Sequence, residues 1–373
     1  MSMNYIRGSN KGIKEKFLSI DFYLLFFIFL LGIISFFAMY STERGNFNYY
    51  TQSHIYRFCV FFSFFIFFSF FSINFWIKSA YWFYALVLIL LLAVNLFGVA
   101  ASGSKRWINL FVFNLQPSEL MKISLIVFLS RYYNKVPTNE VSSIQYMIIP
   151  MFALLIPVSL IVIQPDLGTS MLVAAGGISV IWLAGFRMKY FMSSFITFAC
   201  LLPVVISFLK PYQKLRILTF LNPEKDPLGA GYQIIQSKIA VGSGGISGKG
   251  FLQGSQSYLD YLPEKHTDFI FTLFSEEFGF IGSILLLTVY ALIIYRIINI
   301  GMLSKNNFAK LYCFSFATAF FIYVAVNMMM VLGLLPIVGA PLPIMSYGGS
   351  SMLSMMVGFS IAMSCKIYGD SDT

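Results

Sequence analysis

Apolar residues are gathered into ten runs, at approximately 19–40, 54–73, 80–98, 117–133, 144–163, 169–186, 191–209, 268–294, 310–333 and 347–366. Each is close to the ~20 residues that carry an α-helix across the hydrocarbon core of a bilayer. The polar stretches between them are short, except for residues 210–267. The pattern therefore predicts an all-α polytopic integral membrane protein of ten transmembrane helices, with one long outer loop (210–267) between helices 7 and 8. Residues 1–18 are hydrophilic and carry Arg7, Lys11, Lys14 and Lys16. They resemble the basic region of a signal peptide, but the apolar run behind them is longer than a signal core and no small-x-small site follows Tyr40, so an uncleaved first helix is expected. The division is a cytoplasmic tail (1–18), a transmembrane domain (19–366) and a second cytoplasmic tail (367–373).

Composition removes the soluble alternatives. Of 373 residues, 58% are apolar and 11% charged, whereas a soluble protein is about a quarter charged. Two His and four Cys, the latter single and without CxxC spacing, give no framework for a His- or Cys-rich metal domain or a secreted disulfide scaffold. A net charge of +10 would suggest nucleic acid in a soluble chain. Here the Lys and Arg are scattered between hydrophobic spans, which points to orientation among anionic lipids and to no nucleic-acid partner.

With the N-terminus inside, ten spans return the C-terminus to the same side (N-in/C-in). The short cytoplasmic connections then hold Lys78, Arg131, Lys135, Arg187, Lys189, Arg296, Lys305, Lys310 and Lys366, as the positive-inside rule requires. Acids fall mostly on the other side: Glu43, Glu119, Asp166, Glu224, Asp226, Asp260, Glu264 and Asp268. Function is expected at that outer face.

The long loop contains Gly242-Ser-Gly-Gly-Ile-Ser-Gly-Lys-Gly250. The Walker pattern needs four residues between its first Gly and Gly-Lys and then a hydroxyl residue; the spacing fails and Gly250 occupies the hydroxyl position, so no nucleotide is expected. A weaker reading is a backbone that wraps an anionic headgroup. Tyr232, Ile235 and Ile239 share one face of a short helix, suited to packing or to lying on the membrane. The loop ends in Leu262-Pro-Glu-Lys-His-Thr-Asp-Phe-Ile-Phe271, with His266 beside the entry to the eighth span. Asp268 at that mouth either caps the helix or serves as a partly desolvated general base. Glu276 and Glu277 follow about 12 Å deeper at 1.5 Å per residue, lining a polar cleft or pairing with a Lys or Arg.

Glu119 and Lys122, three residues apart behind Pro117, share a helix face; either they pair internally, or Lys105, Arg106 and Lys122 form a cationic site for a diphosphate with Trp107 as interfacial anchor. Asp166, in Gln164-Pro-Asp-Leu-Gly-Thr169, suits a helix cap or a cation ligand. Residues 333–351 carry too many Pro and Gly for plain helix, and such backbone at membrane depth lines a cavity. The Phe-rich stretch from Phe61 to Phe71 reads as lipid-facing bulk.

Together KRWINL, QPSELMK, QPDLGTS, LPEKHTDFIF and PLPIMSYGGSS resemble the SEDS family of cell-wall proteins, whose branches are RodA, FtsW and SpoVE, over essentially the whole chain to residue 366. Within the family, Asn222 to Ser257 and Leu335 to Pro343 are most similar to the RodA branch. Phe251 replaces a frequent Trp, and Ser104 and Lys105 stand where small or basic residues are common.

The resemblance implies a peptidoglycan glycosyltransferase of the bacterial cytoplasmic (inner) membrane, active face outward, polymerising lipid II in cell elongation and rod-shape maintenance. It implies Asp268 as general base, undecaprenyl diphosphate as leaving group, and a class B penicillin-binding protein and the elongation machinery as partners. The leaving diphosphate needs cations, for which Lys105, Arg106, Lys122, Lys214 and Arg216 are candidates, and a divalent ion (Mg or Mn) would suit the same task. Trp107 and Glu119 carry over as motif positions, and Glu119, Asp166, His266, Glu276 and Glu277 as the supporting cleft. A lipid II flippase and a non-catalytic scaffold for a transpeptidase are the competing readings. Polar residues concentrated at the outer mouth, rather than at mid-membrane, favour an enzyme.

Overall fold

A computed structural model describes residues 12–101, 104–109, 114–208, 211–225, 230–255 and 264–369. Asp226, Asp260, Asp370 and Asp372, with Arg7 and Lys11, lie outside them. Thirteen helices are described: α1 Ile13–Leu18, α2 Phe22–Thr42, α3 Tyr49–Ser69, α4 Ile73–Phe97, α5 Pro117–Tyr133, α6 Ile144–Ile163, α7 Leu167–Leu183, α8 Met188–Phe208, α9 Pro211–Leu221, α10 Ala230–Ser243, α11 Ile270–Leu303, α12 Asn307–Val331 and α13 Gly349–Tyr368. Strands β1 Val99–Ala101, β2 Ser104–Asn109 and β3 Asn114–Leu115 form a small antiparallel sheet between α4 and α5.

Ten of these helices answer to the ten expected spans. By length and composition α2, α4, α6, α11, α12 and α13 are able to cross a membrane. Of the other four, α5 and α7 are shorter, at 17 residues each, α8 has the 21 residues of a span, and α3 is more polar, bringing Thr51, Gln52, His54 and Arg57 into its first half. Helix starts follow local chemistry. Asp21 accepts the Leu24 amide at 2.9 Å, Ser72 that of Phe75 at 3.3 Å and Asn306 that of Phe308 at 2.8 Å, each replacing a bond the first turn lacks. Pro117 opens α5, where its missing N–H costs nothing.

The first and last described helices meet at one end of the bundle. Asp21 pairs with Arg296 of α11 at 2.5 Å, the Lys16 ammonium lies 5.5 Å from the Tyr368 ring, and the Tyr368 hydroxyl donates to Phe70 O at 2.7 Å. Ten crossings place the loops before α5, α7, α11 and α13 at the opposite end. The core is built by α5, α12 and α13, which are buried on nearly every side. The outer helices show rings to the surroundings, among them Phe26, Phe29, Trp82, Phe97 and Phe152.

Several local expectations change. In α3 the Phe run is not uniformly outward: Phe61 and Phe65 are buried, while Phe64 and Phe67 are exposed. In α10 the packed face holds Ile234, Ser237 and Ala240, with Ile239 left exposed; Ser237 reaches Thr272 Oγ1 at 2.9 Å and Val331 O at 2.7 Å. The eighth span runs as α11 to Leu303, longer than expected, with a break at Gly279 (φ 63°, ψ −160°).

That break accounts for the glycine-rich run. A broken helix exposes backbone groups that lipid cannot satisfy. The Lys249 and Gly250 amides donate to Glu276 O and Glu277 O, both at 3.0 Å, while the Phe280 and Ile281 amides donate to Gly245 O at 2.9 Å and Ile246 O at 3.1 Å. A Cβ at Gly279 would stand 2.3 Å from Gly248 N, and one at Gly248 would stand 2.0 Å from Glu277 O. The run is thus spliced into α11 instead of wrapping a headgroup. Gly279→Ala is expected to cost about 1–3 kcal/mol through its left-handed φ alone, with more from the clash. A thermal midpoint in detergent equal to that of the parent would refute this account of the break.

Candidate functional site

Residues 264–269 form a turn leading into α11. The amides of Thr267 and Phe269 both donate to Glu264 O at 3.2 Å, and Phe269 is buried. Three ties hold the turn from outside. Ser346 Oγ donates to Thr267 O at 2.5 Å, the Tyr347 amide donates to His266 O at 2.8 Å, and Asn327 Nδ2 of α12 donates to Asp268 O at 2.9 Å. Asn327 Nδ2 also donates to Ala340 O at 2.6 Å, so one fully buried amide joins the Asp268 turn to residues 334–348.

The cap reading of Asp268 fails. The first helical residue is Ile270, its N-cap is Phe269, and no side chain caps it. The carboxyl is instead turned toward Gly339, where a Cβ would stand 3.6 Å from Oδ2. Gly339 has φ +72°, so a side chain there would be both strained and close to the acid. Though partly open to solvent, the carboxyl is crowded by protein. Desolvation, reinforced by Glu264, Asp166 and Glu119 and opposed by Arg216, pushes it up to about 7. Those electrostatic neighbours show that Asp268, Asp166, Glu119 and Arg216 share one neighbourhood.

His266 is half-buried, stacks on Tyr50 at 4.2 Å and pairs through Nδ1 with Thr42 Oγ1 at 2.9 Å. It braces the turn against α2 and α3. Asp166 caps α7, accepting the Thr169 amide at 3.2 Å, and its other oxygen takes Gln116 Nε2 at 3.0 Å with Arg106 at 3.8 Å. Arg106 also donates to Gln164 O at 3.1 Å and to Pro165 O. Its fork is therefore largely spent on protein. Gly168 admits Val338 O so closely that a Cβ would be 2.1 Å away, which brings the start of α7 against residues 334–348.

Lys122 takes the internal alternative. It pairs with Glu119 at 2.8 Å, both side chains being buried, and stands 4.9 Å from the Tyr323 ring. On β2, Lys105 is exposed and Trp107 half-buried; on α9, Lys214 is half-buried and Arg216 exposed. Glu276 and Glu277 lie apart from this group. Glu276 pairs with Lys249 at 2.6 Å and accepts Ser255 Oγ at 3.1 Å, and Glu277 accepts Ser41 Oγ. Both fasten the glycine-rich run to α11 and α2.

Among the described residues no three His, Cys, Asp or Glu side chains converge as a metal site. Sequence reasoning missed Asn327, Ser346, Tyr50 and Thr42. Asn327 was findable, as an amide deep in the apolar run of α12.

A ten-span helical bundle with a desolvated carboxylate at one end, set among acids, Arg216 and irregular backbone, defines a multi-pass membrane protein with a candidate site at that end. Its family follows from comparison: residues 16–369 match the FtsW/RodA/SpoVE family model, described as "Cell cycle protein", and the chain belongs to that family. It is 43% identical over 289 residues to Peptidoglycan glycosyltransferase MrdB of Escherichia coli (strain K12), covering 76% of this chain and 77% of that one. It is 37% identical over 288 residues to Stage V sporulation protein E of Bacillus subtilis (strain 168), with 77% of each covered. A solved structure described as "Structural coordination of polymerization and crosslinking by a peptidoglycan synthase complex" superposes with a TM-score of 0.80 at 29% identity, covering 95% of this chain and 100% of its own. The crystal structure of Thermus thermophilus rod shape determining protein RodA gives 0.69 at 23% identity, with 95% and 99% covered, and shares the fold.

Asn327→Ala removes both bonds that hold the Asp268 turn to residues 334–348. It is expected to cost about 1–3 kcal/mol for the buried carbonyls left unpaired. Asn327→Asp should cost more, because a carboxylate would face two carbonyl oxygens. Thermal unfolding in detergent checks both, and an unchanged midpoint for either would show that the tie carries no weight.

Proposed function

We propose that this chain is a peptidoglycan glycosyltransferase of the bacterial inner membrane that polymerises lipid II during elongation, with Asp268 as general base. The observation that supports it is the desolvated Asp268 carboxyl, held by backbone ties on three sides and titrating near neutrality. A base is most effective when its pKa lies near the working pH. Asp268 takes the proton from the GlcNAc 4-hydroxyl of the incoming lipid II. As the O–H bond breaks, the oxygen forms a bond to the anomeric carbon of MurNAc on the growing glycan. The bond from that carbon to the diphosphate oxygen breaks with inversion, converting an α-linked diphosphate into a β-1,4 glycosidic link, and undecaprenyl diphosphate leaves with the electron pair.

Arg216, exposed and near enough to act on Asp268, is the cation best placed for the developing diphosphate charge. Lys105 and Lys214 are further candidates. Lys122 and Arg106 contribute by holding Glu119 and Asp166 in place. A Mg or Mn ion would be held by the substrate diphosphate and at most one or two carboxylates, which is how Mg commonly binds; the protein supplies no cage for it among the described residues, and no step above passes through it. The prenyl tails place the chemistry where lipid meets water, and the basic residues at the end that carries both termini set that end inside and Asp268 outside. The partner is a class B penicillin-binding protein, a reading supported by the likeness to the peptidoglycan synthase complex.

The test is purified protein with its partner transpeptidase, supplied with lipid II. Asp268→Asn should fall by about 100-fold or more in glycan formation. Because the carboxyl's pKa is raised and the base works ionised, activity should rise with pH along a limb centred near 7. Glycan at the parent rate from Asp268→Asn would remove Asp268 as the base; no glycan from a folded parent complex would remove the glycosyltransfer reading itself.

A further inference from the structure

Arg57 lies eight residues into α3, about 12 Å along it at 1.5 Å per residue. A cation at such depth in a membrane helix normally pairs with an acid or lines a ligand path. Among the described residues no carboxylate stands within ion-pair distance of Arg57. Its guanidinium carbon is 4.6 Å from the centre of the Tyr347 ring, and the hydroxyls of Tyr49 and Tyr347 lie within reach of it and of each other. A guanidinium stacked on a ring keeps its edge donors available, in the fork that matches a phosphate or carboxylate.

The place is open and connected to the site. Arg57 is half-buried and Tyr49 is exposed. Aromatic contacts run from Tyr347 to Tyr50 at 5.0 Å and on to His266 at 4.2 Å, two residues from Asp268. The arginine stem passes 3.5 Å from where a Cβ at Gly349 would stand, so the start of α13 leaves it room. Below Arg57, at helical spacing, the same face of α3 carries Phe61, Phe64 and Phe68; Phe64 is exposed and Phe68 partly so. The arrangement is thus a cation and two hydroxyls near the water boundary, with an apolar track leading into the membrane.

We propose that Arg57, with Tyr49 and Tyr347, seats the diphosphate of a prenyl-diphosphate-linked substrate whose hydrocarbon chain runs along Phe64 and Phe68. This rests on the glycosyltransferase reading and adds to it a second cationic seat, on α3, distinct from Arg216 of α9. Two lipid-linked substrates must meet at one base, and each brings a diphosphate. A seat on α3 gives the second of them its own counter-charge.

The probe is undecaprenyl diphosphate, which has the anion and the chain but no sugar to react. Binding is measured to the full chain in nanodiscs of neutral lipid by native mass spectrometry and by titration. Arg57→Gln should weaken it by about tenfold or more, the loss expected for one charge-assisted contact, and Arg57→Lys by less. Should Arg57→Gln not fold, Arg57→Lys carries the test with an expected loss of about threefold. Unchanged affinity in the variant overturns the seat, and so does displacement of the probe by phosphatidylglycerol at equal concentration, which would assign Arg57 to bulk lipid headgroups. If the variant loses the probe while the parent makes no glycan, the seat stands and the glycosyltransfer reading falls. If the parent polymerises and the variant binds as the parent does, the seat alone falls.

Discussion

A backbone amide or carbonyl inside a hydrocarbon layer has no water to bond to, so any departure from helix there must be repaired by the protein itself. This constraint governs the working end of the bundle. Three irregular segments show it: 264–269 and 334–348 bond to each other and to Asn327, while 244–254 bonds to α11 on both sides of its break. The glycine-rich run completes α11 across its break at Gly279. Asn327 and Ser346 complete the turns around Asp268. These bonds tie the Asp268 turn to α12 and to residues 334–348.

The same constraint sorts the charges. Glu119 with Lys122, Glu276 with Lys249, and Asp21 with Arg296 are acids paired off within the protein. Buried pairs of this kind add little net stability, but losing one partner leaves a costly bare charge, so they fix the helices that bear them. Asp268 differs. Burial and the repelling acids nearby outweigh the Arg216 cation, and so it keeps a proton to higher pH than an ordinary carboxylate. A carboxyl desolvated and outside any ion pair is suited to exchanging protons with a ligand.

Much of this was legible in the residues. Ten apolar runs of bilayer length dictate ten helices, because a chain in lipid has few other ways to satisfy its backbone. The motifs carried the family, and the acids of the Asp268 segment marked the end where the candidate site lies. Asp166 as a cap and Glu119 with Lys122 as a pair followed from spacing, since both depend on residues three apart on one helix.

What spacing could not decide were contacts between segments distant in the chain. Position beside a helix start left Asp268 open between a cap and a base; the turn closed by Glu264 places Phe269, not Asp268, at the cap. Glu276 and Glu277 were open between a polar cleft and pairing with a Lys or Arg; the fold brings Lys249 to Glu276 and Ser41 to Glu277. Arg57 belongs to no motif in the sequence, and its meeting with Tyr347, 290 positions away by number, exists only once α3 packs against the start of α13. Sequence by itself determined the solvent, the number of crossings and the family, because hydropathy and local spacing are properties of neighbouring residues. That Asp268 is desolvated and outside any ion pair among the described residues was decided by tertiary structure alone, because desolvation and pairing depend on everything that surrounds a group.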